Sequence, residues 1–155
     1  MPDRWLGIVV GSDTVVAVDA EVPSSGALVI QADHSWSLQA GDRAAAYNVM
    51  HQQVADYVRE YGIARVIIKA SALSQGSTKL AHLQAAEVRG VVMAAAGSVA
   101  GVTTEAIPKA HMSRNFGERT IDEYLKDDAF WSGKTKGPLR KGSREAAMML
   151  VAARK

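Results

Sequence analysis

Two apolar, β-branched runs open the chain at 5–10 and 14–21, and Gly11, Ser12 and Asp13 between them have the short or absent side chains of a turn. The pattern predicts a β-hairpin. Pro23, Ser24, Ser25 and Gly26 supply a second turn, so the apolar segment 27–32 is expected to extend the hairpin into an antiparallel meander of three strands. Beyond Gly41 the period lengthens: Tyr47, Met50, Val54, Tyr57 or Val58, and Tyr61 recur every three or four residues, as on one face of a helix that Gly62 stops. Arg65–Lys69 holds Val66, Ile67 and Ile68 without alternation, which suits a central strand covered on both faces.

Residues 79–96 read as a second helix. Its small residues Ala81, Ala85, Ala86, Gly90 and Ala94 are expected to let it lie close to the sheet, with Gly90, which costs about 1 kcal/mol of helix propensity, placed there for packing. A fifth strand is expected at 102–107, ended by Pro108, then short helices at 109–116 and 120–131 on either side of Gly117. Residues 132–142 read as a flexible basic loop. Ser143 is the expected cap of a last helix with Glu145 in its first turn, Arg154 and Lys155 at its end, and an apolar face of Ala146, Ala147, Leu150 and Val151. The element order predicts one α/β domain over 1–155, built on a mixed five-stranded sheet (a three-strand antiparallel meander plus two parallel strands) flanked by helices.

Composition narrows the class further. Apolar residues at 48% and charged residues at 22% are ordinary globular values, and no apolar run approaches the length of a membrane span, so a cytoplasmic protein with no membrane partner is expected. The absence of cysteine removes disulfides, thiolate metal sites and cysteine nucleophiles. Charge is unevenly placed: residues 1–108 carry 7 basic and 10 acidic side chains, residues 109–155 carry 11 and 6, and the excess concentrates in Lys134, Lys136, Arg140, Lys141, Arg144, Arg154 and Lys155. Such a cluster suits an anionic partner such as DNA or RNA; the alternative is a solvated basic segment.

The strings along the chain resemble the ribonuclease-H-like superfold and, within it, RuvC-type Holliday-junction resolvases. Leu6, Gly7, Ile8, Val9, Val10, Gly11 and Ser12 look like that family's opening strand and turn, where a Gly-Ile-Asp-Pro-Gly-Ser string is usual. Arg65–Lys69 resembles its central strand, which ends in a catalytic Glu; Glu87, Val88, Arg89 and Gly90 resemble the helix that follows, and Ile107, Pro108 and Lys109 the start of the next segment. Residues 143–153 are similar to its last, Asp-bearing helix. The Arg65–Lys69 string also resembles a bacterial RuvC-like family whose central strand carries a Val-Ile-Lys sequence and which brings no activity with it.

Nucleases of this type hold two divalent ions on convergent carboxylates. The resemblance puts the first-strand Asp on Val9, the central-strand Glu on Lys69 or Ala70, and the last-helix acids near Ser143 and Ala146, none of them acidic. It therefore implies a catalytically silent domain without a metal cofactor, binding nucleic acid non-specifically through Lys69, Lys79, Lys134, Lys136, Arg140, Lys141 and Arg144. Two alternatives stay open. One is a protein-interaction or structural subunit, with a homodimer formed through the 80–96 helix. The other is a Mg²⁺-dependent nuclease whose ligands have moved to Asp13, Asp19, Glu105 and Glu145; ordinary roles for these are a turn residue for Asp13, a surface strand residue for Asp19 and a helix-start charge for Glu145. Other constellations point less clearly. His34, His51, His82 and His111 have no metal-ligand spacing, Ser74, Gln75, Gly76, Ser77, Thr78 and Lys79 form an anion-binding loop at most, and Phe130 and Trp131 are stacking candidates or core anchors.

Overall fold

The N-terminal hairpin forms the middle of a six-stranded sheet. The computed structural model describes residues 2–71, 79–109, 112 and 116–154. Its elements are β1 (Asp3–Val10), β2 (Thr14–Val22), β3 (Leu28–Ser37), α1 (Arg43–Glu60), β4 (Arg65–Lys69), α2 (Leu80–Gly97), β5 (Thr103–Ile107), α3 (Ile121–Leu125), α4 (Asp128–Lys134), β6 (Thr135–Lys136), a 3-10 turn (Lys141–Ser143) and α5 (Arg144–Ala153). The strands lie in the order β5-β4-β1-β2-β3-β6. β1, β2 and β3 form the antiparallel meander, while β4 and β5 join β1 in parallel. The sixth strand is the difference from the sequence reading: β6 pairs only with Leu28 and Val29.

Alternation along the strands sorts side chains into two cores. Leu6, Ile8 and Val10 of β1, with Val66 and Ile68 of β4, meet Met50, Val54 and Val58 of α1 and Val88, Val92 and Ala95 of α2. Trp5 and Val9, with Val18, Ile67 and Ile107, meet α5 and the α3–α4 pair on the other side. α1 starts as its sequence dictates, with the Asp42 carboxylate accepting from the Ala45 N–H at 3.1 Å, and stops at Gly62, whose φ of +63° a side chain would disfavour.

The last helix is buried all round. Met148, Met149 and Ala152 are as enclosed as the predicted apolar face, because α3 and α4 cover the side turned away from the sheet. Gly7 lets α5 approach β1: a Cβ built there would lie 2.3 Å from the Ala146 carbonyl oxygen. At the other end Arg65 donates to the Ala153 carbonyl at 3.3 Å, stacks on Trp5 at 4.6 Å and pairs with Glu105.

Two local expectations are corrected. Ser143 precedes α5 but does not cap it through its side chain, which donates to Asp33 instead. In α2 the buried residues are Val88, Val92, Ala95 and Ala96, whereas Ala86, Gly90 and Ala94 face solvent and nothing lies within 4 Å of a Cβ built on Gly90. Val88 and Val92, with Ala95 and Ala96, make the contact with the sheet. The stretch 132–142 contains the end of α4, β6 and the start of the 3-10 turn.

Candidate functional site

The C-terminal ends of β1 and β4 lie side by side, since the parallel register pairs Ile8 with Ile68 and its next step sets Val9 beside Lys69. Both side chains point to the α5 face, where the first turn of α5 brings Glu145 over them. Lys69 Nζ donates to both carboxylate oxygens of Glu145 at 3.1 Å, and about a quarter of each side chain remains exposed. Val9 and Lys69 thus lie side by side, and Glu145, one of the four candidate acids, pairs with the lysine.

The other acids do not join this point. Asp19 lies on the opposite face of the sheet: it pairs across from Leu6, is fully buried, binds Arg4 through both oxygens and accepts from Tyr57 Oη at 2.6 Å. It is a buried structural anion and not the surface residue expected. Burial, then the hydrogen bond to Asp19, drive the Tyr57 hydroxyl well above its ordinary pKa. Glu105 on β5 is held by Arg65 of β4, and Asp13 is an exposed turn residue whose carbonyl receives the Leu38 N–H. Among the described residues no group of three His, Asp or Glu side chains is arranged to hold a metal ion.

The seven nominated cations are likewise spread out. Lys69 faces Glu145, and Lys79 is exposed at the start of α2. Lys136 sits on β6, at the other corner of the sheet, roughly 25 Å from Lys69 by standard strand spacings. Lys134 lies over the Phe130 ring at 5.7 Å. Arg140 pairs with Asp33, Lys141 with Asp128 at 3.8 Å, and Arg144, nearly buried, bridges Asp128 and the Leu125 carbonyl. Much of the basic segment is therefore engaged in ion pairs that fasten it to the domain. Phe130 and Trp131 pack with Phe116 and Tyr124, and Trp131 Nε1 donates to the Tyr124 carbonyl. Residues 74–78, His111 and Lys155 lie outside the described residues.

Three residues carry more than their sequence context suggested. Arg43 donates to the Ser12 carbonyl at 2.8 Å and to Tyr47 Oη at 2.9 Å, and Arg89 donates to the Lys69 carbonyl at 2.8 Å and to Ser71. These two guanidiniums flank the ends of β1 and β4, and neither has a carboxylate partner among the described residues. Burial lowers the pKa of Arg89. Asp33 on β3 accepts from Ser143 Oγ at 2.5 Å, from the Arg140 N–H at 2.8 Å and from the Arg140 guanidinium at 2.8 Å. Burial pushes its carboxyl up, but the hydrogen bonds from Arg140 and Ser143 outweigh that and hold it below the ordinary aspartate value.

This architecture is the RuvC-like form of the ribonuclease-H-like fold. Thermus thermophilus RuvC in complex with a Holliday junction substrate superposes with a TM-score of 0.72 at 13% identity, over 96% of this chain and 91% of that one. A second Thermus thermophilus RuvC structure gives 0.71 at 15% identity, over 96% and 92% of the two chains. The yeast mitochondrial Holliday junction resolvase Ydc2 gives 0.63 at 10% identity, over 99% and 80%. By sequence, no protein-family model and no curated protein matches. Among the described residues no helix is long and apolar enough to cross a membrane.

Proposed function

We propose that the chain is a non-catalytic RuvC-like domain that binds DNA or RNA through backbone phosphates at the C-terminal edge of β1 and β4. The observation that carries this reading is the Lys69–Glu145 ion pair, with Val9 beside it, at the place where a two-metal nuclease needs converging carboxylates. The ammonium and Glu145 neutralise each other and leave no means of activating water. Among the described residues, Arg43 and Arg89 each keep a terminal nitrogen without a partner and neither is in a salt bridge, so both can hold a phosphate, and Lys79 adds an exposed charge on the same side. Lys136, Arg140 and Lys141 stand apart from this edge, and Arg144, though next to Glu145, is engaged by Asp128 and the Leu125 carbonyl, so the four contribute little to the contact.

Fluorescence anisotropy with duplex, branched and single-stranded DNA and RNA across a salt series, with Mg²⁺ present and cleavage followed in the same tubes, tests the reading. Binding without cleavage is expected, with a salt slope that falls by about 0.9 for each phosphate contact removed by Arg43→Ala or Arg89→Ala. Lys136→Ala and Lys141→Ala are expected to leave it unchanged. Metal-dependent cleavage, or no binding near physiological salt, overturns it.

A second reading, a homodimer through α2, draws on one observation. Leu80, Leu83 and Met93 are 68%, 55% and 39% exposed on the side of α2 that also carries Ala86, Gly90 and Ala94. Two such helices can approach closely where glycine and alanine face each other. Sedimentation equilibrium is expected to show a dimer that Gly90→Lys and Leu83→Lys dissociate; a monomer at all concentrations removes this reading.

A further inference from the structure

We propose that the outer edge of β3 is a docking site for an extended segment of a partner polypeptide, one that carries a large apolar side chain next to a carboxylate. The edge is open. Among the described residues, strand pairing on that side of β3 ends at Val29, although β3 itself runs on to Ser37. Nothing in the outward sequence closes it, for residues 28–37 contain neither proline nor lysine, two common means of blunting an edge.

A cleft of about 520 Å³ lies along this edge. It touches Ile30, Gln31, Ala32 and Asp33, and since consecutive strand residues point to opposite faces, a space in contact with all four runs beside the strand and not over one face. Its outer wall is Pro138, Leu139 and Arg140, a short arch tied down at both ends. At one end Gly137, with φ of +100°, crosses so near β3 that a Cβ there would lie 3.0 Å from the Ile30 carbonyl oxygen. At the other, the Arg140 N–H and guanidinium bind Asp33. Between these ties no backbone hydrogen bond joins the arch to β3 among the described residues.

An extended chain fits this arrangement for two reasons. Unused strand N–H and C=O groups recur at a spacing that another extended backbone matches, and an adjoining apolar cleft takes one of its side chains, which is how strand addition combines affinity with selectivity. The rim is cationic: Lys136 is exposed, and the Arg140 and Lys141 side chains are 55% and 71% exposed, so a neighbouring carboxylate on the partner is favoured. Nucleic acid fits less well, because the cleft walls are mostly apolar.

The inference is independent of nucleic-acid binding at the β1–β4 edge, and one experiment separates them. The full chain is panned against a random dodecapeptide phage library, and recovered peptides are measured by anisotropy and mapped by amide shifts in ¹⁵N-labelled protein. Peptides with an apolar residue beside an acid are expected, shifting amides of 30–37 and 138–140, with binding about tenfold weaker or worse in Pro138→Asp and Leu139→Asp. Pro138 is exposed, so its variant keeps the test valid if Leu139→Asp fails to fold. DNA binding by the same Pro138→Asp preparation is expected to be unchanged. No enriched peptide, shifts confined elsewhere, displacement of peptide by duplex DNA, or self-association lost in these variants each overturns the proposal.

Discussion

Lys69 and Glu145, 76 residues apart in sequence, meet with the ammonium 3.1 Å from each carboxylate oxygen, in the cleft between the end of β4 and the first turn of α5. The pair has the right sign for mutual neutrality and the wrong sign for a cation. Adding Mg²⁺ or Mn²⁺ is therefore expected to leave the melting temperature of the native chain unchanged. Val9→Asp combined with Lys69→Glu would set three carboxylates on adjoining positions, and the double variant is expected to be less stable without metal and to gain several degrees with Mn²⁺. Equal responses of the two proteins in a calorimetric scan would show that these positions do not converge as described.

The approach of α5 to β1 rests on a missing side chain. A methyl group at Gly7 would meet the Ala146 carbonyl oxygen and Leu150, backbone and core that cannot both give way. Gly7→Ala is expected to cost about 1–3 kcal/mol, the usual range for overpacking a filled core, and to move α5 together with Glu145. Urea denaturation measures it, and an unchanged midpoint would count against the close approach.

Much of this fold was legible because its strands and helices are local patterns. The meander, α1 and the bounds of β4 follow from apolar runs, turn residues and a helical period. β6 could not be read, since a two-residue pairing leaves no period. The orientation of α2 escaped for a different reason: Ala, Val, Leu and Gly occur all around it, so helical spacing alone did not show that Val88 and Val92 face inward while Ala86 and Gly90 face out. In the candidate site, Lys69 was singled out by the family resemblance. Its partner Glu145 and the Asp33 ligands, about 107 residues away at Arg140, depend on tertiary placement.

Asp33 supplies a pH test. Its folded-state pKa lies below the ordinary 3.8, so the folded protein takes up that proton less readily than the unfolded chain. The stability it contributes is complete above the ordinary value and drains away as pH falls through the folded-state one. Asp127, held by the Phe130 N–H and Arg119, and Asp128, held by Arg144, are shifted the same way. Asp33→Asn isolates the first of these: the gap in melting temperature between native and variant protein is expected to be widest at neutral pH and to close below about pH 4. A gap that is constant with pH would mean that Arg140 and Ser143 hold the amide as well as the carboxylate.

Asp19 shows how a fully buried charge fixes α1 to the sheet. Its carboxylate joins Arg4 of β1 to Tyr57 of α1, and Tyr57 stands in edge contact with His34 and Trp36 and close to Tyr61. Removing the carboxylate leaves a guanidinium and a hydroxyl facing a cavity with no acceptor, a loss of about 3 kcal/mol or more for a buried pair. Tyr57→Phe deletes one hydrogen bond and keeps the ring, so about 1–2 kcal/mol is expected, and Asp19→Ala should exceed it clearly. Because Tyr57 stands 14 residues, about 21 Å, along α1 from Arg43, and Asp19 touches neither Arg43 nor Arg89, neither variant should alter nucleic-acid affinity once the protein is folded. Denaturation midpoints for both variants, measured beside their DNA-binding curves, check the ranking, and a loss of binding in folded Asp19→Ala would place the interface around Arg4 and Tyr57 instead.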